Sequence, residues 1–178
     1  MASRKLTDLT PDVQFKAEKI KMFCNSRGLD ILIYCTLRTL EEQAKLYRQS
    51  RSYAIIERKI DELNRMGFDF LANILIGVGS QSGPYVTNAG PGESWHNYAM
   101  AFDGVPIVGG KALWQYEANK HLWSLYGLAI RESGMFWAGD WKKFQEFPHA
   151  QARPEPNPLK VYSPAEIKEI VIKKKLLW

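Results

Sequence analysis

The chain has 178 residues, of which 46% are hydrophobic and 24% charged, and this composition is typical of one globular domain over residues 1–178. No uninterrupted apolar run reaches the roughly 18 residues of a membrane-spanning helix, so no such helix is expected. The first residues, Met1 to Asp8, lack the apolar core of a signal peptide, so we expect synthesis in the cytoplasm. The formal charge of +5 favours encounter with polyanions such as nucleic acid, anionic lipid or cell wall.

The first part of the chain predicts a helix followed by a buried strand. Apolar residues recur at helical spacing over about 11–27, and the short apolar run 29–36 is typical of a strand buried on both faces. Arg38 would emerge at the far end of this strand. Cys24 and Cys35 lie in the two apolar segments without a Cys-x-x-Cys pair, so both are expected to be buried thiols.

Three more helices and a loop are predicted before the first histidine. A helix over about 40–49 begins with a capping-box sequence, and apolar residues recur at helical period over 53–66 and 69–77. The stretch 77–92 contains five glycines and two prolines, which cannot sustain regular structure and therefore predict a loop.

The second half of the chain alternates between predicted strands and helices. Alternating residues over 99–105 indicate a strand with Asp103 on the same side as the alanines. A helix over 114–127 is expected next, and Gly127 is expected to stop it. Strands over 128–131 and 145–151 and a C-terminal helix over 164–175 complete the expected elements.

Two of the three histidines lie in segments suited to a metal site. His96 precedes Asp103 by seven residues, and Glu146 precedes His149 by three. Catalytic zinc takes three nitrogen or oxygen ligands at about 2.0–2.2 Å and keeps one position for water, so His96, Asp103 and His149 make a complete set. Spacing alone leaves the alternative that both are core histidines. The third, His121, lies beside an apolar helix face and is expected to be structural.

These segments resemble a family of zinc peptidases that includes D-alanyl-D-alanine carboxypeptidases, vancomycin-resistance D,D-dipeptidases and phage L-alanyl-D-glutamate endolysins. The family pattern is Ser-x-His-x-x-Gly-x-Ala-x-Asp, followed by an acid three residues before a second His. The matching positions are Ser94, His96, Ala101, Asp103, Glu146 and His149. Ala99 stands where the family usually has glycine, so the backbone there must accept a Cβ. The likeness extends over about residues 29–151, through 36–43, 86–89 and 139–141, and endolysin-type peptidases look most similar.

The resemblance implies an α+β fold in which helices flank a small antiparallel sheet, similar to hedgehog signalling domains, and one catalytic zinc ion. Compared with compact family members, segment 52–79 looks like an inserted pair of helices. Trp137 and Trp141 are candidates for an aromatic cleft wall, with core packing as an equal alternative.

The resemblance also assigns roles to residues beside the metal. Glu146 would act as general base and then general acid, which requires a bend at Phe147-Pro148. Arg38 would stabilise the oxyanion, and Ser94 would hydrogen-bond to substrate. Gln43 would line the cleft beside Arg38, although a structural hydrogen bond explains it equally well. The alternatives are a solvated surface residue for Glu146 and a strand-end salt bridge for Arg38.

We therefore expect zinc-dependent hydrolysis of the peptidoglycan stem peptide, at the L-alanyl-D-glutamate bond, by a monomeric phage or prophage endolysin. Such an enzyme would accumulate in the host cytoplasm and reach the wall, in the periplasm, after membrane permeabilisation. The alternatives are a D-alanyl-D-alanine carboxypeptidase and a catalytically inert, zinc-containing wall-binding module. Nucleic acid is not an expected partner, because the basic residues are dispersed. The basic end Lys173–Trp178 suits a helix C-terminus, and weak contact with anionic envelope lipid is its second interpretation.

Overall fold

The computed structural model describes residues 2–173, which form six helices and five strands. The helices are α1 (Pro11–Asn25), α2 (Leu40–Arg48), α3 (Tyr53–Arg65), α4 (Asp69–Gly77), α5 (Lys120–Glu132) and α6 (Pro164–Lys173). The strands are β1 (Asp30–Cys35), β2 (Ala101–Val108), β3 (Lys111–Ala112), β4 (Phe136–Trp137) and β5 (His149–Gln151). None of the helices in this part of the chain has the length and apolar character needed to span a bilayer.

The described chain forms two compact units, each built from separate stretches of sequence. The sheet unit consists of residues 2–37 and 99–154, and the helical unit consists of residues 38–98 and 155–173.

In the sheet unit, all strand pairs are antiparallel and the order is β1-β2-β5-β4, with β3 paired to β2. Helices α1 and α5 pack with the strands to form the hydrophobic core of the sheet unit. Their buried side chains include Val13, Ala17, Ile20 and Cys24 from α1 and Trp123, Tyr126 and Ile130 from α5. The α+β class with a small antiparallel sheet is confirmed, and Cys24 and Cys35 are both buried, as predicted.

The predicted strand over 128–131 is wrong, because α5 continues through it to Glu132. Gly127 does not stop the helix. A Cβ at this position would lie 2.4 Å from Trp137 Cε3, so glycine is required there for close packing. The helix instead ends before Gly134, which has φ of +75° and follows a Schellman arrangement in which the Met135 N–H donates to the Ile130 carbonyl.

Two other predicted boundaries in the sheet unit also need correction. Residues 114–119 precede α5 instead of forming its first turns. The predicted strand over 145–151 exists only from His149, because the residues before it form a turn.

The helical unit contains α2, α3, α4, α6 and the glycine-rich loop. The capping box of α2 is confirmed, with the Glu42 N–H donating to Thr39 Oγ1 at 3.1 Å and the Thr39 N–H donating to the Glu42 carboxylate at 3.2 Å. Helices α3 and α4 occupy the predicted segment 52–79. Helix α6 begins at the predicted Pro164, whereas positions 174–175 of the predicted helix and residues 174–178 of the basic end lie outside the described residues.

Candidate metal and catalytic site

The sheet register pairs two of the three predicted metal ligands. Asp103 on β2 lies directly opposite His149 on β5, and cross-strand partners bring their Cβ atoms within about 5 Å. Their side chains meet, with 3.1 Å between Asp103 Oδ1 and His149 Nδ1. The Asp103 and His149 side chains are only 14% and 9% exposed, so this polar pair is largely shielded from water.

The other ring nitrogen of His149 meets Gln151, a residue that the sequence analysis missed. Gln151 Oε1 lies 3.0 Å from His149 Nε2, and Gln151 is 1% exposed. The spacing between His149 and Gln151 could have revealed this contact, because residues i and i+2 of a strand point to the same side. Buried polar side chains are rarely left without a hydrogen-bond partner, so a glutamine two residues from a candidate ligand is a candidate partner for it.

The predicted bend before His149 is confirmed. Phe147 and Pro148 form a turn in which the His149 N–H donates to the Glu146 carbonyl at 3.1 Å. The Glu146 N–H in turn donates to the Ala138 carbonyl at 3.2 Å. This turn sets the backbone position of Glu146, the predicted general base, relative to His149.

Two buried side chains hold the carbonyl groups of this turn. The Trp137 indole N–H donates to the Phe147 carbonyl at 2.7 Å, and the Tyr126 hydroxyl donates to the Pro148 carbonyl at 3.1 Å. Burial, and then the negative charge of Asp103, raise the pKa of Tyr126 well above its ordinary value, so the hydroxyl keeps its proton. The turn is therefore anchored to the core of the sheet unit.

The two candidate cleft tryptophans differ in their surroundings. Trp137 is 6% exposed and belongs to the core cluster, which supports the packing interpretation. The Trp141 ring is partly exposed and lies 5.9 Å, centroid to centroid, from the His149 ring. His121 is exposed on α5.

In the helical unit, His96 lies in the short 3-10 turn Trp95–Tyr98 and is 2% exposed. The Arg38 N–H donates to the His96 carbonyl at 3.1 Å, and Ser94 Oγ accepts a long hydrogen bond from the His96 N–H at 3.4 Å. These contacts bring three of the predicted site residues together through the backbone of one turn.

Asn97 holds the same turn and was also missed from the sequence. It is fully buried, its Nδ2 donates to the Arg38 carbonyl at 2.9 Å, and its Oδ1 accepts from the Gly92 N–H at 3.0 Å. Both partners are backbone groups, and Arg38 lies 59 positions away, so these contacts leave no signature in the sequence.

Gln43 holds the side chain of Arg38. Its Oε1 accepts from an Arg38 guanidinium nitrogen at 2.8 Å, and its Nε2 donates to the Ala89 carbonyl at 2.7 Å. Because Gln43 is fully buried, these contacts favour the structural hydrogen bond over a role in lining the cleft. A direct role of Gln43 in binding substrate stays a prediction.

A buried ion pair supports the glycine-rich loop from α3. Lys59 Nζ lies 3.0 Å from Glu93 Oε1, and Glu93 Oε2 accepts from the Gly90 N–H at 2.7 Å. Burial alone would lower the pKa of Lys59, but the charge of Glu93 and hydrogen bonds to Glu93 and Glu62 hold it above its ordinary value. Lys59 therefore stays charged and links α3 to the loop that precedes Ser94.

The seven predicted site residues divide between the two units. Arg38, Gln43, Ser94 and His96 belong to the helical unit, and Asp103, Glu146 and His149 belong to the sheet unit. Within the units, the structure pairs Asp103 with His149 and groups Arg38 with Gln43 and the His96 backbone.

Comparisons with known proteins find similarity to peptidoglycan peptidases. Residues 87–152 match the family model described as D-alanyl-D-alanine carboxypeptidase. The peptidoglycan L-alanyl-D-glutamate endopeptidase CwlK of Bacillus subtilis (strain 168) is 29% identical over 154 residues, covering 83% of this chain and 75% of CwlK.

Two solved structures also resemble the chain. The Serratia marcescens L-Ala D-Glu endopeptidase ChiX has 17% identity and a TM-score of 0.43, covering 85% of this chain and 87% of ChiX. A Zn(II) complex of a variant of the vancomycin resistance D,D-pentapeptidase VanY, from a VanB-type cassette, has 15% identity and a TM-score of 0.46, covering 80% of this chain and 71% of VanY. The family-model match and the similarity to CwlK both relate the chain to D-alanyl-D-alanine carboxypeptidases and L-alanyl-D-glutamate endopeptidases.

Proposed function

We propose that this protein is a zinc-dependent peptidoglycan endopeptidase that hydrolyses the L-alanyl-D-glutamate bond of the stem peptide. The observation that carries the proposal is the similarity over 83% of the chain to CwlK, which is named as a peptidoglycan L-alanyl-D-glutamate endopeptidase. The family-model match covers residues 87–152 and thus includes all three proposed metal ligands, His96, Asp103 and His149.

The geometry of Asp103 and His149 fits a shared zinc ion. Two ligands of one tetrahedral zinc, at bond lengths of about 2.0–2.2 Å, lie about 3.3–3.6 Å apart. The 3.1 Å between Asp103 Oδ1 and His149 Nδ1 is within a few tenths of an ångström of that separation. We propose His96 as the third ligand on the family pattern, in which it takes this position. A bound zinc ion supplies a Lewis acid that lowers the pKa of water toward neutrality and polarises a carbonyl.

Glu146 is the proposed general base and acid. Its carboxylate takes the proton of the attacking water and returns it to the leaving amine of D-glutamate, so that hydrolysis leaves the protein unchanged. The anchored turn at Phe147-Pro148 supports this assignment, because it fixes the backbone of Glu146 three residues before His149.

Arg38 is the proposed oxyanion donor. Its guanidinium is held by Gln43 at 2.8 Å, and a donor oriented before the reaction stabilises developing charge without reorganising. Ser94, beside His96 on the same turn, is the proposed hydrogen-bonding partner of the substrate backbone.

We propose that the enzyme is a phage or prophage endolysin, made in the host cytoplasm and released to the periplasm after permeabilisation. The resemblance to endolysin-type sequences supports this setting. We also propose that the protein is monomeric, which light scattering tests. Contact of the basic C-terminal end with anionic lipid is tested by co-sedimentation with vesicles of the chain with and without residues 172–178.

The test is product analysis on purified peptidoglycan by mass spectrometry. Endopeptidase action exposes a new amino group on D-glutamate and leaves L-alanine on the glycan. Glu146→Gln should keep stoichiometric zinc while hydrolysis falls by about 100-fold or more, as expected for loss of a general base. Glu132→Gln, at an exposed glutamate of α5, is the matched control and should match the wild type.

The alternatives give different products. Release of D-alanine without cleavage at D-glutamate would identify a carboxypeptidase. Zinc binding with no hydrolysis by the wild type would identify an inert wall-binding module. Either result would overturn the proposed reaction.

A further inference from the structure

The His149 ring is held at both nitrogens. Nδ1 lies 3.1 Å from Asp103 Oδ1, and Nε2 lies 3.0 Å from Gln151 Oε1. His149 and Gln151 occupy alternate positions of β5, so their side chains project to the same side of the sheet. The strand is paired on both sides, to Ala101 of β2 and Phe136 of β4 at Gln151, so the sheet fixes where the glutamine lies.

The orientation of the Gln151 amide follows from its second contact. Gln151 Nε2 lies 2.6 Å from the Arg153 carbonyl oxygen, which can only accept a hydrogen bond. The NH₂ group therefore faces Arg153, and Oε1 faces His149. An amide oxygen also only accepts, so the hydrogen between these two residues must belong to His149 Nε2.

We propose that Gln151 is a positioning residue that fixes the Nε2–H tautomer of His149 and thereby makes Nδ1 the metal-binding nitrogen. This inference rests on the proposed zinc site. A neutral imidazole carries one hydrogen, and if Nε2 holds it, the lone pair lies on Nδ1, the nitrogen beside the Asp103 carboxylate. Histidine ligands commonly donate their second N–H to an acceptor in this way, which orients the ring and strengthens the ligand.

Glutamine suits this position because it must accept and donate at once. A glutamate could accept from Nε2 as well as glutamine does, but it could not donate to the Arg153 carbonyl. A leucine of similar length could do neither, and the buried Nε2–H would lose its partner. Comparing the Gln151→Glu and Gln151→Leu variants therefore shows whether position 151 must accept a hydrogen bond from His149 or only has to fill the space.

The experiment measures Zn²⁺ affinity by competition with a chelator, using the full chain and its variants. We expect Gln151→Leu to weaken zinc binding by about 10–100-fold and Gln151→Glu to stay within about tenfold of the wild type. Gln14→Leu is the matched control: this glutamine of α1, in the same unit, bonds to Glu18 and should leave the affinity unchanged. Circular dichroism of each variant establishes that it is folded.

A second measurement needs no substitution. In the zinc-loaded wild type, the ¹H–¹⁵N spectrum of the His149 ring should show the hydrogen on Nε2 and the zinc-induced shift on Nδ1. A hydrogen on Nδ1 would overturn the inference. The inference would also be overturned if a folded Gln151→Leu variant bound zinc as tightly as the wild type while the His149→Ala variant no longer bound the metal. Failure of the proposed site itself looks different, because the wild type would then bind no zinc or His149→Ala would bind it normally.

Discussion

Replacing Gly127 with alanine tests the close packing beneath the Glu146–His149 turn. Gly127 is a helical residue of α5, where alanine is intrinsically favoured by about 1 kcal/mol. Its Cβ, however, would lie 2.4 and 2.5 Å from Trp137 Cε3 and Cζ3. The indole has little room to withdraw, because a Cβ at Gly139 would likewise lie 2.4 Å from Trp137 Cε2.

The magnitude follows from these opposing effects. Overpacking of a well-filled core costs about 1–3 kcal/mol, and displacement of the indole weakens its 2.7 Å bond to the Phe147 carbonyl by about 1 kcal/mol more. After subtracting the helix preference, Gly127→Ala should destabilise the protein by about 2 kcal/mol, or roughly 4–8 °C in Tm for a chain of this size. Zinc affinity should also fall, because the displaced carbonyl belongs to the turn that precedes His149.

The assay is thermal unfolding followed by circular dichroism, with Gly77→Ala as the matched control. Gly77 is the last residue of α4, and a Cβ there meets no atom within 4 Å. Gly77→Ala should therefore be neutral or stabilising by up to about 1 kcal/mol. If Gly127→Ala raised the Tm as much as the control does, helix propensity would outweigh the contact with Trp137 and the packing argument would be refuted.

Three further changes test other parts of the structure. Lys59→Met should lower the free energy of unfolding in urea by about 3 kcal/mol, because Glu93 is only 8% exposed and would lose its cation, whereas Lys45→Met breaks only a surface pair and should cost under about 1 kcal/mol. Burial raises the pKa of the Cys24 thiol to about 11, so this cysteine should resist alkylation at pH 8 until the protein unfolds; rapid labelling of the native protein, located by mass spectrometry, would contradict its burial. Ala99 has φ of +59°, so Ala99→Val should lower the Tm while Ala99→Gly changes stability by less than about 1 kcal/mol; equal effects would show that the backbone relaxes.

Local signals in the sequence predicted local structure well. The capping box at Thr39 and the bend at Phe147-Pro148 depend on residues within a few positions of one another, and both appear in the structure. The α+β class also followed, through the family resemblance. Such features are determined by backbone geometry and short-range hydrogen bonds, which the sequence pattern expresses directly.

Glycine roles were harder to predict, because they depend on what lies nearby in three dimensions. At Gly127 the sequence predicted a helix stop, although the residue is required by the ring of Trp137, ten positions away. The same limit led to the wrong strand over 128–131. At Ala99, where the family usually has glycine, the sequence required a backbone that accepts a Cβ, and the structure holds this alanine at a positive φ of +59°. This conformation allows the Ala99 carbonyl to accept from the Thr10 N–H at 2.9 Å, at the start of α1.

The family motif contains the residues proposed to bind zinc and catalyse hydrolysis, but the positions of their side chains depend on residues outside the motif. Trp137 and Tyr126 hold the carbonyls of the turn, and Gln151 holds the ring of His149. None of these three belongs to the Ser-x-His pattern or to the acid-and-histidine pair. Two sequences with the same motif can therefore differ in how firmly His149 is oriented, and so in metal affinity. Loss of zinc from a variant with an intact motif would identify a displaced turn or ring, and the spectrum of His149 would distinguish between the two.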